Sequence, residues 1–233
     1  MRKVVVLTGA GISAESGLGT FRDAGGLWSE YALEDVATPE GFARDPGLVH
    51  RFYNARRANA AGARPNAAHR ALARLEADWP GEVVLITQNV DDLHERAGSR
   101  SVLHMHGTLS GALCAECGHR WPAPVEMAPD DPCPACGRAA TRPAVVWFGE
   151  IPQGLEDCER HLSVASVFLA IGTSGSVWPA AGFVELARAA GARTVELTLD
   201  RSEVSHRFDL LRHGRATETV PAAVADLLAG RLG

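Results

Sequence analysis

The chain has 233 residues, 46% hydrophobic and 22% charged, the balance of a soluble globular enzyme, and its length suits one domain with an insertion or one large and one small lobe. A formal net charge of -5 argues against a broad electrostatic hold on nucleic acid or anionic lipid, leaving open only a local basic groove. No apolar run approaches the roughly 18 residues that span a membrane, so no membrane partner is expected.

Met1-Arg2-Lys3 and the apolar run after it begin like a signal peptide, but the run is short and ends in a Gly-rich turn with no small-residue cleavage site. Residues 3–7 therefore read as a buried first strand turning over residues 8–11, and the protein is expected in the cytoplasm. Residues 24–65 are loop-rich and then helical. Asn66, just after Pro65, suits the N-cap of a helix running to residue 77. A second strand covers residues 83–87. Residues 113–142 carry four of the five cysteines among many prolines. A third strand (164–171) leads into Gly172-Thr173-Ser174, a helix follows over 179–190, a fourth strand over 194–199, and a closing amphipathic helix over 221–232. Strands alternating with helices predict an α/β fold: a Rossmann-like parallel sheet domain with helices on both faces (1–23, 66–112 and 143–233). A small zinc-binding and helical lobe (24–65 and 113–142) is inserted into it.

Gly9-Ala10-Gly11 after the first strand lets the backbone turn sharply and approach a pyrophosphate. The third glycine of the usual dinucleotide pattern is missing, since position 14 is Ala14, and so is the acidic residue expected about 20 residues on. The loop alone divides evenly between a dinucleotide site and a plain tight turn.

Cys114-x-x-Cys117 and Cys133-x-x-Cys136, fifteen residues apart, can form two knuckles around a tetrahedral Zn²⁺. Four thiolates leave no position for water, so the metal is expected to be structural, one per chain. Cys158 stands alone and reads as a buried small hydrophobe.

Ligands of open parallel sheets bind beyond the carboxyl ends of strands. There the second strand runs into Thr87-Gln88-Asn89-Val90-Asp91-Asp92, which could hold an amide or ribose or simply cap a helix. Alternation puts His104 and His106 on one face of a short strand, where a histidine could be structural or serve as a general base near neutral pH, and where a metal site would lack a nearby third ligand. Tyr53 and Arg56, three apart, share a helix face. With Arg51 and Arg57 beside them, they could be an ordinary solvated basic face or a grip on a carboxylate.

These pieces resemble the sirtuin family, NAD-dependent protein deacylases. The matching blocks are Gly9-Ala10-Gly11-Ile12-Ser13, Glu15-Ser16-Gly17, Thr20-Phe21-Arg22, Thr87-Gln88-Asn89-Val90-Asp91 and His104-Met105-His106-Gly107. The four cysteines, Val145-Val146-Trp147-Phe148-Gly149-Glu150 and Gly172-Thr173-Ser174 complete them, in family order over nearly the whole chain. The resemblance implies that NAD lies between the sheet and the small lobe. Gly9, Ala10, Gly11, Gly172, Thr173 and Ser174 would meet its diphosphate, and Arg22 would belong to a loop closing over it. Ile12, Asn89 and Asp91, with Gln88 and Val90 alongside, resemble the nicotinamide pocket. His106 matches the catalytic base and Phe21 a shield of the ribose face. Val146, Trp147, Phe148, Gly149 and Glu150 resemble the strand that pairs with an acyl-lysine peptide by β-augmentation.

The implied reaction joins the acyl oxygen to the ribose C1′ as nicotinamide leaves. It ends in free lysine and 2′-O-acyl-ADP-ribose. The Tyr53-x-x-Arg56 pair is similar to that of the class III sirtuins, which accept succinyl and malonyl lysine; acetyl-lysine needs neither contact. Two positions depart from the family: Thr198 stands where an Asn usually meets the adenosine ribose, and Gly214-Arg215-Ala216 replaces a Gly-Pro-Ala type of stretch near the adenine. Acylated proteins are the expected partners, nucleic acid is not, and a monomer or weak oligomer is expected. Two other activities fit the same motifs: mono-ADP-ribosyl transfer, and a non-catalytic NAD- and zinc-binding module.

Overall fold

The computed structural model describes residues 2–19 and 31–232. Its centre is a six-stranded parallel sheet of β1 (Lys3–Thr8), β2 (Glu82–Thr87), β3 (Val102–His104), β7 (Val167–Ile171), β8 (Arg193–Thr198) and β9 (Leu210–His213). The order β3-β2-β1-β7-β8-β9 is that of a doubly wound nucleotide-binding sheet. β1 is buried on both sides because consecutive side chains feed opposite layers. Val4 and Val6 enter a core with Leu72, Leu75, Val220 and Val224, from α4 (Ala67–Asp78) and α8 (Ala216–Leu228). Val5 and Leu7 enter a core with Cys158, Leu162, Phe183 and Val184, from α6 (Leu155–Leu162) and α7 (Phe183–Ala189). Cys158 is thus the buried hydrophobe expected of it.

A second, three-stranded antiparallel sheet, β5-β4-β6, joins β4 (Gly107–Cys114), β5 (Arg120–Pro122) and β6 (Thr141–Val145). Beside it lie α1 (Leu33–Val36), α2 (Pro39–Arg44) and α3 (Pro46–Gly62). Thr38 and Asp45 cap the last two by accepting from Gly41 N and Leu48 N, each with a proline in the first turn. Phe52, Tyr53, Val90, Leu109, Val145 and Trp147 form a third core between these helices and the rest of the chain. The short helix α5 (Leu93–Arg96) follows the polar loop after β2. Among the described residues no helix is long and apolar enough to cross a membrane.

The parallel sheet with helices on both faces agrees with the sequence, but several elements differ. β9 lay in a stretch without a strand pattern and forms because Thr198 and Asp209 tie it to β8: Asp209 accepts from Thr194 N and Oγ1, and Gly214 N donates to Thr198 O. The closing helix starts at Ala216, not residue 221, because Glu15 accepts from Thr217 N and Oγ1 in its first turn. Pro221 is tolerated inside it. It stops at Leu228, where Gly230 turns the chain at φ +72. Residues 179–182 form a cis peptide at Trp178-Pro179 and a 3₁₀ turn before α7 begins.

The site is set where the winding reverses, between β1 and β7. Thr8 of β1 pairs with Thr87 on one side and Ile171 on the other. The loops beyond meet backbone to backbone: Gly9 N donates to Ile171 O and Gly11 N to Gly172 O, both at 3.0 Å. A Cβ on Gly11 would fall 2.7 Å from Gly172 Cα, and Gly172 itself turns at φ +60. Gly11→Ala is expected to destabilise the protein by about 1–3 kcal/mol through this overlap. The urea unfolding midpoint measures it, and an unchanged midpoint would mean that the two loops can part at no cost.

Candidate active site

Residues 9–13 and 88–91 leave β1 and β2 side by side and interlock through side chains. Asn89 donates through Nδ2 to Gly9 O and to Ser13 Oγ, each at 3.2 Å, and the Ser13 hydroxyl donates to Asp91 Oδ2 at 3.2 Å. His69 Nε2 lies 3.4 Å from the same hydroxyl. Asn66 N donates to His69 Nδ1, so the proton of this ring sits on Nε2 and points at Ser13. Asn66 also caps α4 and donates to Ile12 O, fastening helix and loop. Burial lowers the pKa of His69 to about 4, with Arg70 adding to the shift, which keeps the ring neutral. Burial pushes the Asp91 carboxyl upward, while Leu93 N–H and the Ser13 hydroxyl hold it back. Ser13, His69 and Asn66 are site residues that motif reading passed over, although Ser13 stood inside a quoted block. The signal available was the Asn66-to-His69 spacing of a capping box, with an imidazole in place of the usual Glu or Gln.

The two histidines differ. β3 ends at His104, and His106 lies in the turn before β4, so they are not two positions of one strand. Their rings still reach neighbouring carbonyls, His104 Nδ1 to Asn89 O and His106 Nδ1 to Gln88 O. His104 also bonds Glu95 through Nε2 at 2.7 Å. Burial works against its charge, but the Glu95 bond and charge win and raise its pKa. His106 is lowered by burial, with only the Gln88 carbonyl opposing. Because its Nδ1–H donates to that carbonyl, the neutral ring presents an unprotonated Nε2, the geometry of a base.

On the far side of the loops, Thr173 follows Gly172, and Ser174 bonds Ser176 at 2.7 Å. Glu203 N donates to Ser174 O. Thr198 ends β8, and its hydroxyl donates to Asp200 O at 2.7 Å. Ala216 opens α8. The structure thus brings residues 9–12, 88–91, 106 and 172–174 to one end of the sheet, with Thr198 and Ala216 at its β8–β9 side. Phe21 and Arg22 lie outside the described residues.

Tyr53 and Arg56 project from α3 on one face, the Arg56 guanidinium carbon 5.5 Å from the Tyr53 ring centroid. Arg56 is near enough to Asp91 for the carboxylate to support its charge against burial. The face is therefore no solvated basic one: Tyr53 is 1% exposed. Trp147 packs against it and donates from Nε1 to the Tyr53 hydroxyl at 3.0 Å. Val146 N donates to His106 O. Residues 146–150 are not in a ladder here: β6 stops at Val145, Phe148 N donates to Ala37 O, and Gly149 turns at φ +90. The Glu150 carboxylate is engaged within the protein, accepting from Arg142 at 2.6 and 2.9 Å and from Trp147 N at 2.8 Å.

The four cysteine sulfurs lie within 4.8 Å of one another, with Cys114–Cys136 and Cys117–Cys133 each at 3.7 Å. A zinc ion bound tetrahedrally at about 2.3 Å requires sulfurs about 3.8 Å apart, so the donor set fits a closed structural site. The ions' frame is β4 and β6, which bring the first knuckle to the second at Cys114 and Thr141. His119, two residues beyond the first knuckle, stacks on Trp121.

A model of the Sir2 family matches residues 9–179. A relative from Caulobacter vibrioides named NAD-dependent protein deacylase is 59% identical over 97% of each chain. A solved structure described as a Sir2 homolog–NAD complex superposes with a TM-score of 0.90 at 39% identity, over 100% of this chain and 91% of that one. Another, described as Sir2 bound to acetylated peptide, gives a TM-score of 0.83 at 28% identity over 99% and 94%. For the metal site, atomic absorption is expected to find one zinc per chain, and Cys133→Ser to lose it together with protease resistance between residues 114 and 141. A metal-free wild type with the same resistance would rule out a structural ion.

Proposed function

The chain belongs to the Sir2 family and is an NAD-dependent protein deacylase, and on that premise we propose that it removes succinyl and malonyl groups from lysine as well as acetyl. NAD is its co-substrate, acylated lysine in proteins its target, and the four thiolates hold one structural zinc. Four clustered free thiols, which a reducing compartment would keep available to zinc, support a cytoplasmic placement.

The observation that carries the acyl reading is Arg56 beside the buried hydroxyl of Tyr53, one helical turn apart on α3. A guanidinium grips a carboxylate through two parallel hydrogen bonds, and a phenol adds a third. Burial pushes the Tyr53 pKa up, against the opposing charge of Arg56, so the phenol keeps its proton and can donate. Asp91 lies within electrostatic reach of Arg56, which supports an acyl pocket beside the loop that resembles the nicotinamide site.

In the reaction, the acyl oxygen bonds to the ribose C1′ as nicotinamide leaves. His106 Nε2 then takes a ribose hydroxyl proton, so that this oxygen can attack the acyl carbon; water completes the release of lysine. Asn89, Ser13 and Asp91 orient the leaving amide, with His69 holding the Ser13 hydroxyl toward Asp91. The loops of residues 9–12 and 172–174, closed on each other through Gly11 N and Gly172 O, flank the diphosphate.

His106→Ala is expected to cut kcat/KM by about 10²–10⁴-fold with an unchanged unfolding midpoint. The base works when neutral, and burial lowers its pKa from 6.5. Wild-type kcat/KM should therefore hold down to pH 6.5 and fall only as pH drops through the lower value; an acid limb centred above 6.5 would contradict this. Arg56→Met is expected to lower the succinyl-to-acetyl ratio of kcat/KM by at least about 10-fold, the value of a hydrogen bond to a charged group. Mass spectrometry of peptides differing only in acyl group reads it as loss of acyl mass, and equal loss on both substrates would defeat the acid-acyl assignment.

A further inference from the structure

We propose that Trp147 sets the preference for acidic acyl groups: its indole N–H occupies the acceptor side of the Tyr53 hydroxyl and so turns the phenol proton toward an incoming carboxylate. This rests on the acid-acyl reading of Tyr53 and Arg56.

An indole nitrogen can only donate, whereas a phenol can donate once and accept. At 3.0 Å from Trp147 Nε1, the Tyr53 oxygen is therefore the acceptor, and its proton must point elsewhere. The charged groups around the phenol, Arg56 and Arg142, are guanidiniums and offer no acceptor. Among the described residues no carboxylate or carbonyl takes the Tyr53 proton. A ligand reaching this corner thus meets an O–H donor and a guanidinium together, a combination that an anionic oxygen satisfies and an acetyl methyl does not.

The indole is held to this task from its other face. Arg142 lies over the Trp147 ring at 3.5 Å from the centroid, a close cation–π contact. Both Glu150 oxygens and Val145 O accept from Arg142, and Glu150 also accepts from Trp147 N. Phe42 closes the side, its ring centroid 5.2 Å from that of Trp147. The chain Glu150–Arg142–Trp147–Tyr53 runs from the small sheet to α3 and leaves the indole one orientation. A phenylalanine at 147 would keep most of the packing but remove the indole donor, leaving the phenol oxygen to Arg56 alone and its proton less narrowly directed.

The test is kcat and KM on succinyl and acetyl versions of one peptide, for wild type, Tyr53→Phe, Trp147→Phe and the double variant. Trp147→Phe is expected to lower the succinyl-to-acetyl ratio of kcat/KM by about 3–10-fold, the range of one neutral hydrogen bond, chiefly through the KM of the succinyl peptide. In the Tyr53→Phe background it should leave that ratio where Tyr53→Phe alone puts it. If Trp147→Phe does not fold, benzothienylalanine at 147, which exchanges only the N–H for sulfur, carries the same comparison. Tyr53→Phe shifting the ratio while Trp147→Phe does not, or Trp147→Phe shifting it equally with and without Tyr53, overturns the role of Trp147 alone. Tyr53→Phe leaving the ratio unchanged overturns the acid-acyl reading and this inference with it.

Discussion

The structure depends on one close approach: the backbone of Gly11 against that of Gly172 at the ends of two adjacent parallel strands. With side chains there, the loops after β1 and β7 could not share hydrogen bonds, and the crevice at the reversal of winding would be wider and disordered. With glycines, Gly11 N reaches Gly172 O at 3.0 Å, and the 3₁₀ turn that follows places Ile12 and Ser13 against the β2 loop. Parallel strands supply such a crevice in many proteins; here the glycines let the two loops that floor it close on each other through backbone hydrogen bonds.

On that floor, burial does most of the chemical tuning. Three neighbouring histidines receive three different settings. His69 is neutral because it is buried and unpaired with any carboxylate, and its tautomer is fixed by Asn66 N–H. His104 is paired with Glu95 and tends to hold its proton. His106 has a carbonyl on Nδ1 and burial around it, so it tends to release its proton. The Glu95 carboxylate on Nε2 thus separates His104 from His106, although both rings bond a carbonyl through Nδ1, two residues apart in sequence.

The small sheet and the helices α1–α3 contribute differently. The zinc-binding knuckles lie at the far end of β4 and β6, whose other end delivers Gly107, Val145 and then Trp147 to the site. A structural metal thereby stabilises the two-stranded ladder from which Trp147 extends to Tyr53. The Arg142–Glu150 pair in the same corner, its guanidinium buried and its carboxylate partly exposed, gives the turn after β6 a fixed form without a peptide strand beside it. Phe148, 48% exposed, is left on the surface there.

The sequence by itself determined what repeats or spaces locally: the β-branched runs that became β1, β2, β7 and β8, the glycines at both strand ends, and the paired cysteines whose spacing fits one metal. It also marked Tyr53 and Arg56 as neighbours, since three residues along a helix suffice for that. It did not determine whether that pair was solvated or buried, because Arg51 and Arg57 stand beside it on α3 and only the third core encloses one face of the helix. Nor did it find β9, a four-residue strand with only two apolar residues, tied to β8 by Thr194 and Asp209. The bonds from His69 to Ser13 and from Trp147 to Tyr53 span 56 and 94 residues. No local pattern encodes such contacts: they arise when packed strands and helices bring distant polar groups out of water, where each must find a partner.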